Sequence, residues 1–302
     1  MTAATPRWSA LDAARGLAVL AMILFHLIWD LAHFGYVAEG LPWTTPVKMF
    51  GHAIAFSFLF IAGVALALAH RDTIHWRDFW RRFAIIAGAA ALVTIGTYVA
   101  FPSAYVFFGI LHCIAAASLA AIPFLVAPWP VAAITGALFL AAPEFLTAPV
   151  FNKDWLLWLG LSTTEPLTQD WRPFLPWAGA LLLGVAMGKY LRAPVASSRR
   201  QSPRALNFLG RHSLIIYLAH QPLLFAFFTA LAFVAPPQES AESFVASCET
   251  RCVANGGVSA FCREACLCTV REAIRTNTLA GSRYDAERSR RLSAIANRCA
   301  EF

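Results

Sequence analysis

The sequence predicts an all-α protein: a polytopic transmembrane helix bundle of about seven spans, with a small disulfide-stapled α-helical domain at its C-terminal end. Three observations lead there. Of the 302 residues, 59% are hydrophobic and only 14% charged, with a mean hydropathy of +0.59, whereas soluble domains carry about a quarter charged residues. The apolar residues fall into runs of roughly 20, the length that crosses about 30 Å of hydrocarbon as a helix with every backbone group satisfied internally. After Pro236-Pro237 the chain turns polar and holds six of its seven cysteines, the other being Cys113. The expected domains are therefore residues 1–237, within the membrane, and 238–302, outside it.

Spans are expected near residues 11–32, 49–69, 83–101, 105–126, 129–147, 173–191 and 206–234. Pro143 and Glu144 interrupt the fifth, and Pro222 with the length of the last implies a tilt, a kink or an extension beyond the bilayer. Lys and Arg mark the sides. The loop after the second span holds Arg71, Arg77, Arg81 and Arg82, and the loop after the sixth holds Lys189, Arg192, Arg199, Arg200 and Arg204. The connections at 33–48 and 148–172 carry only Lys48, Lys153 and Arg172. The positive-inside bias then puts the N-terminus in the cytoplasm and the C-terminus outside, with a bacterial inner membrane as the expected setting. The same bias accounts for the formal charge of +7, so no nucleic acid is expected as a partner. Asp12 and Arg15 inside the first apolar stretch argue against a cleaved leader.

Ionisable groups inside a span cost at least about 2.5 kcal/mol each and are candidates for function. In the first span Arg15 and His26 are eleven residues apart, which at about 100° per residue returns to nearly the same face roughly 16 Å along the axis. Asp30, four residues beyond His26, shares its face and is placed to hold the imidazole tautomer. The structural alternative is a packing ion pair of Asp12 with Arg15 and a His26 that bonds a neighbouring helix. In the last span Ser213, Tyr217 and His220 fall at i, i+4 and i+7, a polar stripe that serves a site or glues helices. His112, His52 and Asp170 stand near the outer ends of their spans, where Trp43, Trp155, Trp158, Trp171 and Trp177 read as interfacial anchors, one or two of them able to line a sugar site.

Five blocks in order carry a resemblance: Leu11-Asp12-Ala13-Ala14-Arg15-Gly16, Phe58-Leu59-Phe60-Ile61-Ala62-Gly63, Phe108-Gly109-Ile110-Leu111-His112, Pro176-Trp177, and the run from Gly210 to Pro222. Together, over about residues 7–232, they resemble the bacterial relatives of heparan-alpha-glucosaminide N-acetyltransferase. The Arg15-to-His26 spacing and Tyr217-Leu218-Ala219-His220 are also similar to the wider superfamily of membrane acyltransferases. The resemblance implies transfer of an acetyl group from cytoplasmic acetyl-CoA to a sugar, glycan or lipid-linked acceptor on the far side, within membrane lipid. It assigns His26 and Asp30 to catalysis, with His112, Asp170, Ser213, Tyr217 and His220 lining the acceptor site. Arg15, Arg71, Arg77, Arg81 and Arg82 suit the CoA phosphates, because guanidinium binds phosphate bidentately. Membrane topology alone also explains that basic loop. A homo-oligomer stays open. The rival function is a transporter or exporter in which His26, Asp30, His112 and His220 form a proton relay; a membrane-embedded partner without catalysis is a third reading.

In the tail, Cys248 and Cys252 are spaced i, i+4, as are Cys262 and Cys266, with Asn255-Gly256-Gly257 as a turn between them. An antiparallel helical hairpin then pairs Cys248 with Cys266 and Cys252 with Cys262, leaving Cys268 and Cys299 to tie on a final helix near Asp285–Arg298. Disulfides of about 2–4 kcal/mol each supply what so small a core cannot. They imply an oxidising compartment, in agreement with the arginine pattern. Zinc pairs favour the shorter C-x-x-C turn, so no metal is expected.

Overall fold

The computed structural model describes residues 8–38, 40–191, 202–237, 240–279 and 286–300. Arg192, Arg199, Arg200 and Asp285 lie outside the described residues. The elements are helical: α1 (Ser9–His33), α2 (Thr45–Ala69), α3 (Trp76–Ala100), α4 (Ile110–Ala120), α5 (Ile122–Val126), α6 (Trp129–Leu146), α7 (Phe174–Tyr190), α8 (Arg204–Arg211), α9 (Ser213–Val234), α10 (Ala241–Ala254), α11 (Ser259–Arg275) and α12 (Ala286–Ala300), with short 3-10 turns between them. Five of them, α1, α2, α3, α6 and α9, are long and apolar enough to cross a membrane, and the chain is an integral membrane protein; α4 and α7 are shorter apolar helices.

Two expected spans change shape. The fourth begins at Ile110 rather than 105 and breaks at Ala121. Pro123, which has no N–H to donate back along a helix, follows at once. The seventh divides at His212 into a short helix of high amphipathicity, α8, and the 22-residue α9. Helix α6, by contrast, runs on through Pro143, and α9 through Pro222.

The described chain forms two compact units, Met1–Met22 with Met49–Leu218, and Ile23–Lys48 with Ala219–Phe302. The core of the first is built on α2, α4 and α7, where Leu59, Leu66, Cys113, Leu181, Leu182 and Val185 are buried. Small residues bring these backbones together, because lipid tails give apolar side chains no reason to prefer each other and close packing must hold the helices. A Cβ built on Gly63 would stand 2.0 Å from the Leu181 carbonyl oxygen, and one on Gly184 would stand 2.1 Å from that of Phe60. Helices α6 and α7 repeat the device at Gly136 and Gly179.

Lys189, in the last turn of α7, caps α5. Its ammonium donates to the carbonyls of Phe124 at 3.1 Å and Leu125 at 2.7 Å, and also to that of Ala127. These are carbonyls that a helix end leaves without backbone partners. Lys189→Met is expected to cost about 1–3 kcal/mol, read as an earlier thermal transition of the purified protein. An unchanged transition would mean those carbonyls find other donors.

In the second unit Phe34, from the end of α1, packs with Phe225 and Phe228 of α9. Three disulfides close the tail: Cys248–Cys266, Cys252–Cys262 and Cys268–Cys299. The first two join α10 to α11 and the third ties α12 to α11. Gly256 makes the turn at φ 91°. A side chain on Gly257 would run into the sulfurs of Cys252 and Cys262. Arg288 of α12, buried, donates to the carbonyls of Thr278 and Leu279.

Candidate functional site

The ionisable residues of the helices gather in three places, two in the first unit and one in the second. The first is Asp12, which is buried. Arg15, one turn along α1, reaches its Oδ1 at 3.3 Å, and Arg211, the last residue of α8, reaches its Oδ2 at 3.3 Å. The Asp12–Arg15 ion pair is thus present, with a second arginine added. Arg82 is half-buried, donates to the Ala62 carbonyl and lies near enough to Arg15 for the two charges to act on each other. Arg71, Arg77 and Arg81 are exposed around the start of α3.

The second place is the N-terminus of α4. The Asp170 carboxylate accepts from the Ile110 amide at 2.9 Å, a negative charge at the positive end of a helix. The carboxylate lies close against Gly109, where a Cβ would stand 2.5 Å from Asp170 Oδ2. His112 uses both ring nitrogens. Nδ1 accepts from the Gly109 amide at 3.2 Å, and Nε2 lies 3.2 Å from the Thr94 hydroxyl. That hydroxyl donates to the Val106 carbonyl at 2.7 Å, so it accepts from His112, and the proton is on Nε2. His112 and Asp170 therefore both have capping work. Beside them Arg172 pairs with Asp170 at 3.8 Å and lies 5.4 Å from the centre of the Trp177 ring, which His52 meets edge-on at 5.5 Å. Tyr217 is within reach of the charges of Asp170 and Arg172 and packs on the main core. Ser213 opens α9.

The third place is the second half of α1 against α9. The His26 and His220 rings meet edge-on with centroids 4.7 Å apart. Asp30, 3% exposed, accepts from the Gln221 amide at 2.9 Å. Its Oδ2 and the Gln221 Oε1 are buried with no hydrogen-bond partner among the described residues. The hydrogen bond on Asp30 thus comes from Gln221, where the spacing along α1 points to His26. What this arrangement can do is take up and pass on a proton: two imidazoles in contact, with a carboxylate one turn away to balance the charge. Among the described residues no group of three or more His, Cys, Asp or Glu could hold a metal ion.

Gln221 and Arg211 are polar residues at these places to which the sequence reading gave no role of their own. Gln221 adjoins His220 and precedes a proline in an apolar helix, which is the signal that was available. Among curated proteins and among solved structures, nothing matches the chain. One family does, heparan-alpha-glucosaminide N-acetyltransferase, catalytic, over residues 7–222. That stretch takes in all three polar clusters and stops short of the cysteine-rich tail. Matched over more than half its length, the chain belongs to the heparan-alpha-glucosaminide N-acetyltransferase catalytic family, a family of membrane acetyltransferases.

Proposed function

We propose that the protein moves an acetyl group from cytoplasmic acetyl-CoA to an extracytoplasmic sugar, glycan or lipid-linked acceptor, with His26 as the general base. The observation that carries this reading is the meeting of His26 with His220 in apolar helices, one turn from a buried carboxylate. Acetyl-CoA supplies the acyl thioester. His26 accepts the proton of the attacking hydroxyl or amine as the new bond to the acetyl carbon forms and the carbon–sulfur bond breaks, and it returns that proton to the departing thiolate. Asp30, oriented by Gln221, stabilises the imidazolium that exists in between, and the His220 ring limits the rotation of His26. Arg15 with Arg71, Arg77, Arg81 and Arg82 receives the CoA phosphates; the exposure of Arg71, before α3, and of Arg77 and Arg81, in its first turns, suits that role. Residues 1–237 form the membrane domain, and residues 238–302 a separate extracytoplasmic domain whose disulfides need an oxidising compartment.

Proteoliposomes supplied with acetyl-CoA on the side of the Arg71–Arg82 loop test the reading. Release of CoA that requires an acceptor such as glucosamine is expected, together with acetylated product. Movement of a solute without CoA release would favour a transporter, with His26 and Asp30 in a proton relay. Orientation has its own test. A cysteine placed at position 77 should resist an impermeant thiol reagent added to sealed cells, and labelling there would reverse the topology.

A further inference from the structure

Among the described residues, three guanidinium groups and one carboxylate gather at Asp12. Arg15 and Arg211 occupy the two carboxylate oxygens of one buried aspartate, and Arg82 adds a third guanidinium whose charge acts on Arg15. A carboxylate offers one negative charge, and apolar helices do not favour uncompensated cations. The position of Arg211 is also set by backbone rather than by chance. A Cβ on Gly210 would stand 1.8 Å from the Asp12 carbonyl oxygen, and one on Gly16 would stand 2.2 Å from that of Leu206, so α8 lies directly on the first turns of α1. Ser9 strengthens the joint by accepting from the Asn207 side chain at 3.2 Å and the Ser202 amide at 3.3 Å. Arg211 uses Nε on Asp12, and among the described residues this is its only hydrogen bond, which leaves both terminal nitrogens of the fork for a ligand. Its side chain is 52% exposed, so a ligand can reach it.

We infer that Arg211 is a phosphate-recognition residue: with Arg15, and with Asp12 holding the two guanidinium groups in register, it forms an anion site that takes a phosphate of the acyl donor. The inference rests on the acetyl-CoA reading above and adds to it a residue from α8, outside the Arg71–Arg82 stretch. A phosphate supplies the pairs of oxygens that a guanidinium fork binds. Lipid headgroups carry the same chemistry, and the experiment separates the two sources.

Binding of CoA and of phosphate-free pantetheine is measured on the full-length protein in non-ionic detergent, for the wild type, Arg211→Gln and Arg211→Lys. The wild type is expected to prefer CoA. Arg211→Gln should weaken CoA binding about tenfold, the value of one charge-assisted contact, and leave pantetheine binding unchanged; Arg211→Lys should fall between. Equal CoA binding by wild type and Arg211→Gln would overturn the assignment, as would a parallel loss of pantetheine binding. If Arg211→Gln instead loses affinity for short-chain phosphatidylglycerol while CoA binding holds, the anion is a lipid headgroup and the donor assignment falls. A wild-type protein that ignores CoA sinks the donor reading itself, an outcome distinct from any difference between the variants.

Discussion

His26→Ala is expected to lower acetyl transfer by about a thousandfold, within the range that a positioned general base contributes, while the purified protein keeps its helix content. The argument starts from where the ring is. His26 lies on α1 against His220, and an imidazole exchanges a proton near neutral pH. Removing it takes away the acceptor of the proton and leaves Asp30 held by Gln221. Asp30→Asn should cost less, about ten- to a hundredfold, because the imidazole remains and only the charge that stabilises its protonated form is lost. Rate constants for purified wild type and variants, with glucosamine and acetyl-CoA at saturation, decide the matter. Wild-type turnover in His26→Ala would transfer the role to His220. His112 is a weaker heir, because both of its ring nitrogens are engaged at the start of α4.

The second large effect is structural. Gly63→Leu or Gly184→Leu should abolish accumulation of folded protein, a loss above about 4 kcal/mol. Even alanine should lower the thermal transition markedly, because its Cβ would fall 2.0 Å from the Leu181 carbonyl oxygen or 2.1 Å from that of Phe60. Those oxygens belong to helix backbone and cannot rotate away, so α2 and α7 must separate and give up their packing. Gly88 on α3 is the control, since a Cβ there meets nothing within 4 Å, and Gly88→Ala should be neutral or slightly stabilising. Monodisperse yield and thermal transition in detergent are the measurements. A Gly63→Ala protein that melts with the wild type would show that the two helices do not approach as closely as described.

Much of this was open to reading along the chain. Helix, membrane and cysteine staples follow from short-range properties: the length of an apolar run, the polarity after Pro236-Pro237, and the i, i+4 spacing of Cys248 with Cys252 and of Cys262 with Cys266. Each is decided by neighbours within a few residues, where composition and helical period suffice. The family, too, was legible, because its blocks are contiguous words such as Leu11–Gly16 and Phe58–Gly63, within the matched residues 7–222.

Which polar groups meet was not legible, because partners far apart in sequence are chosen by helix packing. Spacing along α1 pointed Asp30 at His26, yet the carboxylate takes its hydrogen bond from Gln221, 191 positions away, because α9 brings that amide against α1. Position near the outer ends of their spans marked His112 and Asp170 as site residues, and the fold adds the partners that hold both at the start of α4, its unsatisfied amides and helix dipole. Asp12 and Arg15 could be paired from their three-residue separation. Arg211 could not, since it reaches Asp12 only where Gly210 and Gly16 let α8 lie on the backbone of α1. The sequence by itself determined helices, membrane insertion, cysteine staples and family. Tertiary structure alone decided the long-range partners of the buried charges, because hydrocarbon leaves an ionised group no water and binds it to whatever the packing supplies.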